Sequence, residues 1–263
     1  MELDDAYANA AYIPDADGFL ARWPQEAADF RGHMDAEGRA RLGLIYGPSP
    51  RQALDLFLPQ DDPEGLLIFV HGGYWLRFDR SFWSHFAQGA LARGWAVAMP
   101  SYDLCPVVRI SDITRQVARA VTLAADMVAG PIRLAGHSAG GHLVARMLAK
   151  AMVPKHVSHR FAHVMPISPL SDLRPFLRTS MNADLRLDEV EAIAESPMMQ
   201  HVPDIPVTVW VGAEERPVFL DQAQWLVKRW NCGHHVAPGR HHFDVIDPLR
   251  DPDSGMIATL LDT

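Results

Sequence analysis

Five short apolar runs constrain this chain more than any other feature of it: residues 66–70, 95–99, 132–135, 164–167 and 207–211. Each is bounded by Gly, Pro or polar residues, the pattern of a strand buried on both faces. Between them lie stretches of helical period, 82–92, 113–128, 142–151 and 218–230, with apolar residues three and four apart. Residues 233–238 read as a final strand. Strands that alternate with helices predict a mostly parallel sheet covered on both faces, with functional side chains at the carboxyl ends of the strands. The fold class is therefore α/β, and residues 1–263 read as one domain. With 48% hydrophobic and 21% charged residues, the chain has the apolar content for a single large core. Two regions stand outside the alternation. Residues 1–40 are helical around 19–34, and 171–200 are polar and irregular, an insertion of the kind that forms a cap or a pocket wall.

One of the strand-to-helix turns carries chemistry. Gly136-His137-Ser138-Ala139-Gly140 follows the run 132–135 and opens a helix. A chain that reverses so sharply forces its central residue into a strained conformation and needs small residues on both sides, because the two arms nearly touch. Ser138 is thereby presented at a helix N-terminus, where unpaired N–H groups favour developing negative charge. This predicts Ser138 as a nucleophile and the N–H of Ala139 as an oxyanion donor.

Directly after the run 66–70 comes His71-Gly72-Gly73-Tyr74-Trp75. Glycines there let the backbone approach a substrate carbonyl, so the N–H groups of Gly73 and Tyr74 join Ala139 as donors. His71 is expected to hold this loop by hydrogen bonds and to move no proton. Tyr74, Trp75 and Phe78 are the aromatic candidates for a substrate pocket, with a core role equally open to Trp75 and Phe78.

A base is expected beyond the last strand. That position excludes His234 and His235 and leaves His241 and His242. The acid is expected after the run 207–211, where Glu214 and Glu215 are adjacent; Glu215, just ahead of Pro217 at a helix start, is the choice and Glu214 the alternative. The histidine cluster has no HExxH-type spacing, so no metal is assigned, and the serine chemistry requires no cofactor.

The formal net charge of −8 and the lack of a Lys/Arg stripe argue against a nucleic-acid partner. An acidic N-terminus and the absence of a long apolar run predict a cytoplasmic protein with no membrane attachment. Cys105 and Cys232 lack CxxC or zinc spacing and read as reduced. The expected partner is a small-molecule acyl amide or ester, and a homodimer is compatible with the sequence.

These residues resemble the kynurenine formamidase (arylformamidase) branch of the α/β hydrolases, marked by a His-Gly-Gly-x-Trp loop, here His71 to Trp75. Further matching pieces are Tyr46-Gly47-Pro48, Leu54-Asp55-Leu56-Phe57, Tyr102-Asp103-Leu104-Cys105-Pro106, Ser196-Pro197 and His242-Phe243-Asp244, so the likeness spans nearly the whole chain. The resemblance implies an α/β-hydrolase fold and a triad of Ser138, Glu215 and His242, with Glu where relatives usually carry Asp. It also implies hydrolysis of an aryl formamide such as N-formyl-kynurenine to formate and an aromatic amine. A carboxylesterase or thioesterase acting on small acyl esters is the alternative, since a triad fixes the reaction type and not the leaving group. A binding scaffold without chemistry is the non-enzymatic alternative, against which the intact serine, histidine and oxyanion glycines speak.

Overall fold

The computed structural model describes residues 1–201 and 204–262. Among these, eight strands form one sheet: β1 (Ala40–Ile45), β2 (Ala53–Phe57), β3 (Leu66–Val70), β4 (Ala96–Pro100), β5 (Ile132–His137), β6 (Phe161–Ile167), β7 (Thr208–Gly212) and β8 (Gly233–Ala237). Their spatial order is β1-β2-β4-β3-β5-β6-β7-β8. The first two pairings, β1 with β2 and β2 with β4, are antiparallel, and all the others are parallel. The helices are α1 (Ala16–Ala36), α2 (Gln88–Ala92), α3 (Ile110–Met127), α4 (Ala139–Arg146), α5 (Lys155–Ser158), α6 (Asn182–Leu185), α7 (Glu189–Glu195), α8 (Pro217–Trp230) and α9 (Gly255–Leu261).

Strand side chains alternate between faces, and here both faces are buried. Leu66, Ile68 and Val70 of β3 pack with Val117 and Val121 of α3, Leu143 of α4 and Leu226 of α8. Leu67 and Phe69 pack into the opposite layer with Trp23 of α1, Leu91 of α2 and Leu260 of α9. This double burial is why the central strands are continuous apolar runs rather than alternating ones.

β3 coincides with the expected 66–70, and the other five expected strands appear with ends moved by a few residues. β1 and β2 were not anticipated. Asp55 interrupts the apolar character of β2, but it is buried with its charge met by Arg80 Nε at 2.8 Å and the Gly43 N–H at 2.8 Å. The helix expected over 82–92 is a correction: two 3₁₀ turns, Arg80–Phe82 and Ser84–Ala87, precede a short α2. The Arg31 guanidinium donates to the Ser81 carbonyl and to Ser84 Oγ, which takes that carbonyl out of a helical ladder. The helix expected over 142–151 begins earlier, directly after Ser138, and gives way to turns beyond Arg146. Both cysteines are free, and among the described residues no helix is long and apolar enough to cross a membrane.

Residues 171–200 are more ordered than their composition suggests. They hold α6, α7 and the 3₁₀ turns Arg174–Arg178 and Pro197–Met199, elements too short to show a period. A buried ion pair ties α7 to the helix behind Ser138: Glu195 Oε2 lies 3.1 Å from Arg146 Nε and accepts from Thr114 Oγ1 at 2.6 Å, while His142 meets the Glu195 carbonyl at 2.8 Å. Burial opposes the Glu195 charge, but Arg146, His142 and Thr114 outweigh it and hold the carboxyl below its ordinary value of 4.5.

Replacing Glu195 with Ala strands the Arg146 charge in the interior and is expected to cost roughly 3–5 kcal/mol in urea denaturation. Because the folded carboxyl titrates below the unfolded one, its contribution is complete above about pH 4.5 and is lost as pH falls through the lower folded value. The stability gap between wild type and Glu195→Gln should therefore narrow in acid; a gap constant down to pH ~3 contradicts this assignment.

Candidate active site

Ser138 occupies the turn between β5 and α4 with φ 57° and ψ −117°, a conformation non-glycine residues adopt at a cost of about 1–3 kcal/mol. Its N–H is held by the Ile167 carbonyl at 2.8 Å, at the end of β6. The crossing leaves no room for side chains: a Cβ at Gly140 would sit 1.9 Å from the Val70 carbonyl oxygen, and one at Gly136 would sit 2.2 Å from the Gly140 oxygen.

His242 follows β8 in the chain and Glu215 follows β7. Glu215 Oε2 lies 2.5 Å from His242 Nδ1, with the carboxylate fully excluded from solvent and the imidazole 4% exposed. The second carboxylate oxygen accepts from Ser168 Oγ and from the Gly212 N–H, the latter at 2.9 Å. A buried carboxylate with each oxygen hydrogen-bonded fixes the imidazole with its proton on Nδ1, and Nε2 then carries the free lone pair. Among the described residues Nε2 has no hydrogen-bond partner, and His242 lines the same cavity as Ser138. Glu214 is exposed, its N–H donates to the Arg240 carbonyl, and its carboxylate has no hydrogen-bond partner among the described residues. His241 turns away: its Nδ1 accepts the Phe243 N–H at 3.1 Å, and its ring packs edge-on against Phe19. His235 stacks on Trp210, and His234 is exposed on β8. Among the described residues no group of three or more His, Cys, Asp or Glu is placed to hold a metal ion.

The loop after β3 is held in an unusual backbone conformation. Gly73 has φ 110° and its α-carbon abuts the Arg77 carbonyl, while Tyr74, Trp75 and Phe78 have φ of 54°, 59° and 69°. The Leu76 and Arg77 N–H groups both close on the Gly73 carbonyl at 3.0 Å. The N–H groups of Gly73, Tyr74 and Ala139 find no acceptor among the described residues. His71 is stacked on Tyr102 at 4.3 Å, with Nδ1 on the Gly72 carbonyl at 2.7 Å; burial lowers its pKa to about 4. It is neutral and built into the loop.

Ser138, His137, His242, Gly73, Tyr74 and Phe78 line a cavity of about 290 Å³. Trp75 does not, which corrects its place among the pocket residues. Its indole lies in the core, fully buried and edge-on to His142 and Phe176. The other walls were not anticipated. Trp83 and Phe243 contribute rings, Met181 comes from the 171–200 region, and the N-terminal segment supplies Tyr7, Asn9, Leu20 and Trp23. That segment is seated by Tyr74 Oη, which donates to the Tyr7 carbonyl at 2.6 Å and accepts from Asn9 Nδ2 at 3.2 Å, and by Gln222, which donates to Tyr7 Oη at 2.9 Å. Ser168 was also missed; no local motif marks it, and only the parallel register of β6 and β7 brings it to Glu215.

Residues 67–232 match the family described as alpha/beta hydrolase fold. The chain is 28% identical to kynurenine formamidase of Salmo salar, over 88% of this chain and 84% of that protein. Against kynurenine formamidase of Drosophila melanogaster it is 29% identical, over 80% and 77%. A solved structure of a Silicibacter protein provisionally called a thioesterase is 59% identical, with a TM-score of 0.97 over 99% of both chains. Esterase B of Lactobacillus rhamnosis shares the fold, with a TM-score of 0.68 over 94% and 93% at 19% identity.

The two carboxylates give opposite expectations. Glu215→Gln should lower kcat/KM for a short p-nitrophenyl ester by about 10³–10⁴-fold, because an amide leaves the imidazole in the wrong tautomer. Glu214→Gln should stay within about twofold of wild type, as expected of an exposed side chain away from the reacting groups. Equal effects of the two substitutions would sink the assignment of Glu215.

Proposed function

The chain belongs to the α/β-hydrolase fold family, and we propose that it removes a formyl group from an aromatic amide of the N-formyl-kynurenine kind through a Ser138, His242, Glu215 triad. In this scheme His242 Nε2 takes the Ser138 hydroxyl proton as Oγ attacks the formyl carbon. The carbonyl oxygen becomes an oxyanion held by the N–H groups of Gly73, Tyr74 and Ala139, each donor of this type being worth about 3 kcal/mol in the transition state. His242 returns the proton to the departing nitrogen, which releases the aromatic amine and leaves a formyl-enzyme. Water, deprotonated by the same nitrogen, attacks that ester; the Oγ–carbon bond breaks, the imidazolium returns its proton to Ser138 Oγ, and formate departs. Glu215 orients the imidazole throughout and stabilises its transient positive charge.

The observation that carries this reading is the small, ring-lined cavity beside Ser138. At about 290 Å³ it lies at the small end of ligand sites. Its rings, Tyr74, Phe78, Trp83 and Phe243, suit a flat aromatic leaving group. The likeness to kynurenine formamidases over most of the chain points the same way. The 59% identity to the Silicibacter protein supports a second reading, hydrolysis of a small acyl thioester or ester by the same residues.

The deciding comparison is kcat/KM for N-formyl-L-kynurenine, a short p-nitrophenyl ester and a short acyl thioester. Preference for the formamide by about 100-fold or more is expected, the scale on which a site shaped for one leaving group discriminates. Ser138→Ala should lose about 10⁴-fold or more on every substrate. Thioester or ester turnover without formamide cleavage would move the assignment to the second reading.

A further inference from the structure

We propose that His137 is a positioning residue whose imidazole sets the placement of His242 and of the oxyanion loop relative to Ser138. The inference rests on the triad scheme above and adds a residue that scheme does not use. His137 ends β5 and is bonded directly to Ser138, and it is buried at the wall of the cavity. Nε2 lies 2.8 Å from the His242 carbonyl oxygen, and the two rings approach to 4.7 Å. This is the only hydrogen bond to the His242 main chain among the described residues. Glu215 holds the base by its ring and His137 holds it by its backbone, so loss of His137 leaves Glu215 as the base's remaining hydrogen-bond partner among the described residues, beside the packing of its ring on Phe219.

The opposite edge of the same imidazole meets the oxyanion loop. A Cβ placed on Gly72 would lie 3.5 Å from His137 Nδ1 and 2.8 Å from the His137 carbonyl oxygen, so the loop is packed against this residue without room for a side chain. His137 therefore touches three parts of the machinery: the nucleophile by a covalent bond, the base by a hydrogen bond and the donor loop by contact. The carbonyl of His242 accepts only, which places the single proton of a neutral His137 on Nε2 and leaves Nδ1 as a lone pair. Nδ1 has no partner among the described residues, in keeping with that tautomer. Burial, and next the positive charge that His242 can carry, hold the ring in its neutral form. A charged His137 would oppose the imidazolium that acyl transfer creates on His242.

His137→Phe keeps the ring volume and removes the donor, whereas His137→Gln replaces Nε2–H with an amide N–H of similar reach. The expected result is a fall in kcat of about tenfold to a hundredfold for His137→Phe with KM within about threefold, the size that small misplacements of a catalytic group produce. Reaction of Ser138 with a fluorophosphonate should slow by the same factor, and His137→Gln should recover most of both. Should His137→Phe fail to fold by circular dichroism, His137→Asn, whose shorter amide cannot span to the carbonyl, takes its place. A fully active Ser138→Ala overturns the triad scheme and this inference together. An inactive Ser138→Ala combined with a wild-type kcat in His137→Phe, or with Phe and Gln equally impaired, overturns the role of His137 alone.

Discussion

The contact on which this molecule depends is the collision avoided at Gly140, whose α-carbon lies so close to the Val70 carbonyl that any Cβ would overlap it. The contact exists because β3 and β5 are parallel neighbours with Val70 opposite Gly136. It fixes where α4 leaves the sheet and so forces Ser138 into its strained turn. It also brings the loop that follows β3 alongside the serine, since both leave the sheet at the same edge. Serine, the His71–Trp75 loop and helix N-terminus are thus placed by backbone packing, before any side chain is considered. The neighbouring strands extend the same logic: β6 ends at the carbonyl that holds the Ser138 N–H, and β7 and β8 deliver Glu215 and His242 from one edge of one sheet.

Around that framework, desolvation sorts the histidines. His71, His137 and His242 are all buried, but of the three only His242 has a carboxylate within hydrogen-bonding distance. Burial drives the other two towards neutrality, where each serves as a donor to a carbonyl. Proton handling in the proposed scheme is thereby confined to one ring. The cost of burying Glu215 is offset by bonds to both of its oxygens, which a surface carboxylate such as Glu214 has no reason to possess.

What could be read from the chain divides along the same line. The turn at Ser138, the glycines of the donor loop and the order of strands are local demands, and each leaves a local trace: Gly where backbones touch, apolar runs where both sheet faces are covered. Glu215 could be chosen over Glu214 because Pro217 announces a helix start. The cavity roof left no such trace. Tyr7 and Asn9 reach Gln222 and Tyr74 across 215 and 65 residues, and nothing in a Tyr-Ala-Asn-Ala-Ala stretch marks it as a pocket wall. Trp75 was ambiguous for a related reason. An aromatic in the loop after β3 can face the cavity or the core, and backbone φ does not separate the two: Tyr74 and Phe78 line the cavity and Trp75 does not, although all three have positive φ. β2 was hidden because Asp55 looks exposed until Arg80 and the Gly43 N–H are seen to surround it.

The central claim is that Ser138 carries the acyl group between the two halves of the reaction. Rapid acid quenching of the enzyme during turnover of N-formyl-L-kynurenine, followed by mass spectrometry of the proteolysed chain, tests it directly. The account predicts a transient mass increase of one formyl group on the peptide that contains Ser138, absent from Ser138→Ala and gone once substrate is exhausted. Formate release with no adduct at any time under conditions where acylation outpaces hydrolysis, or an adduct on a different residue, would contradict it.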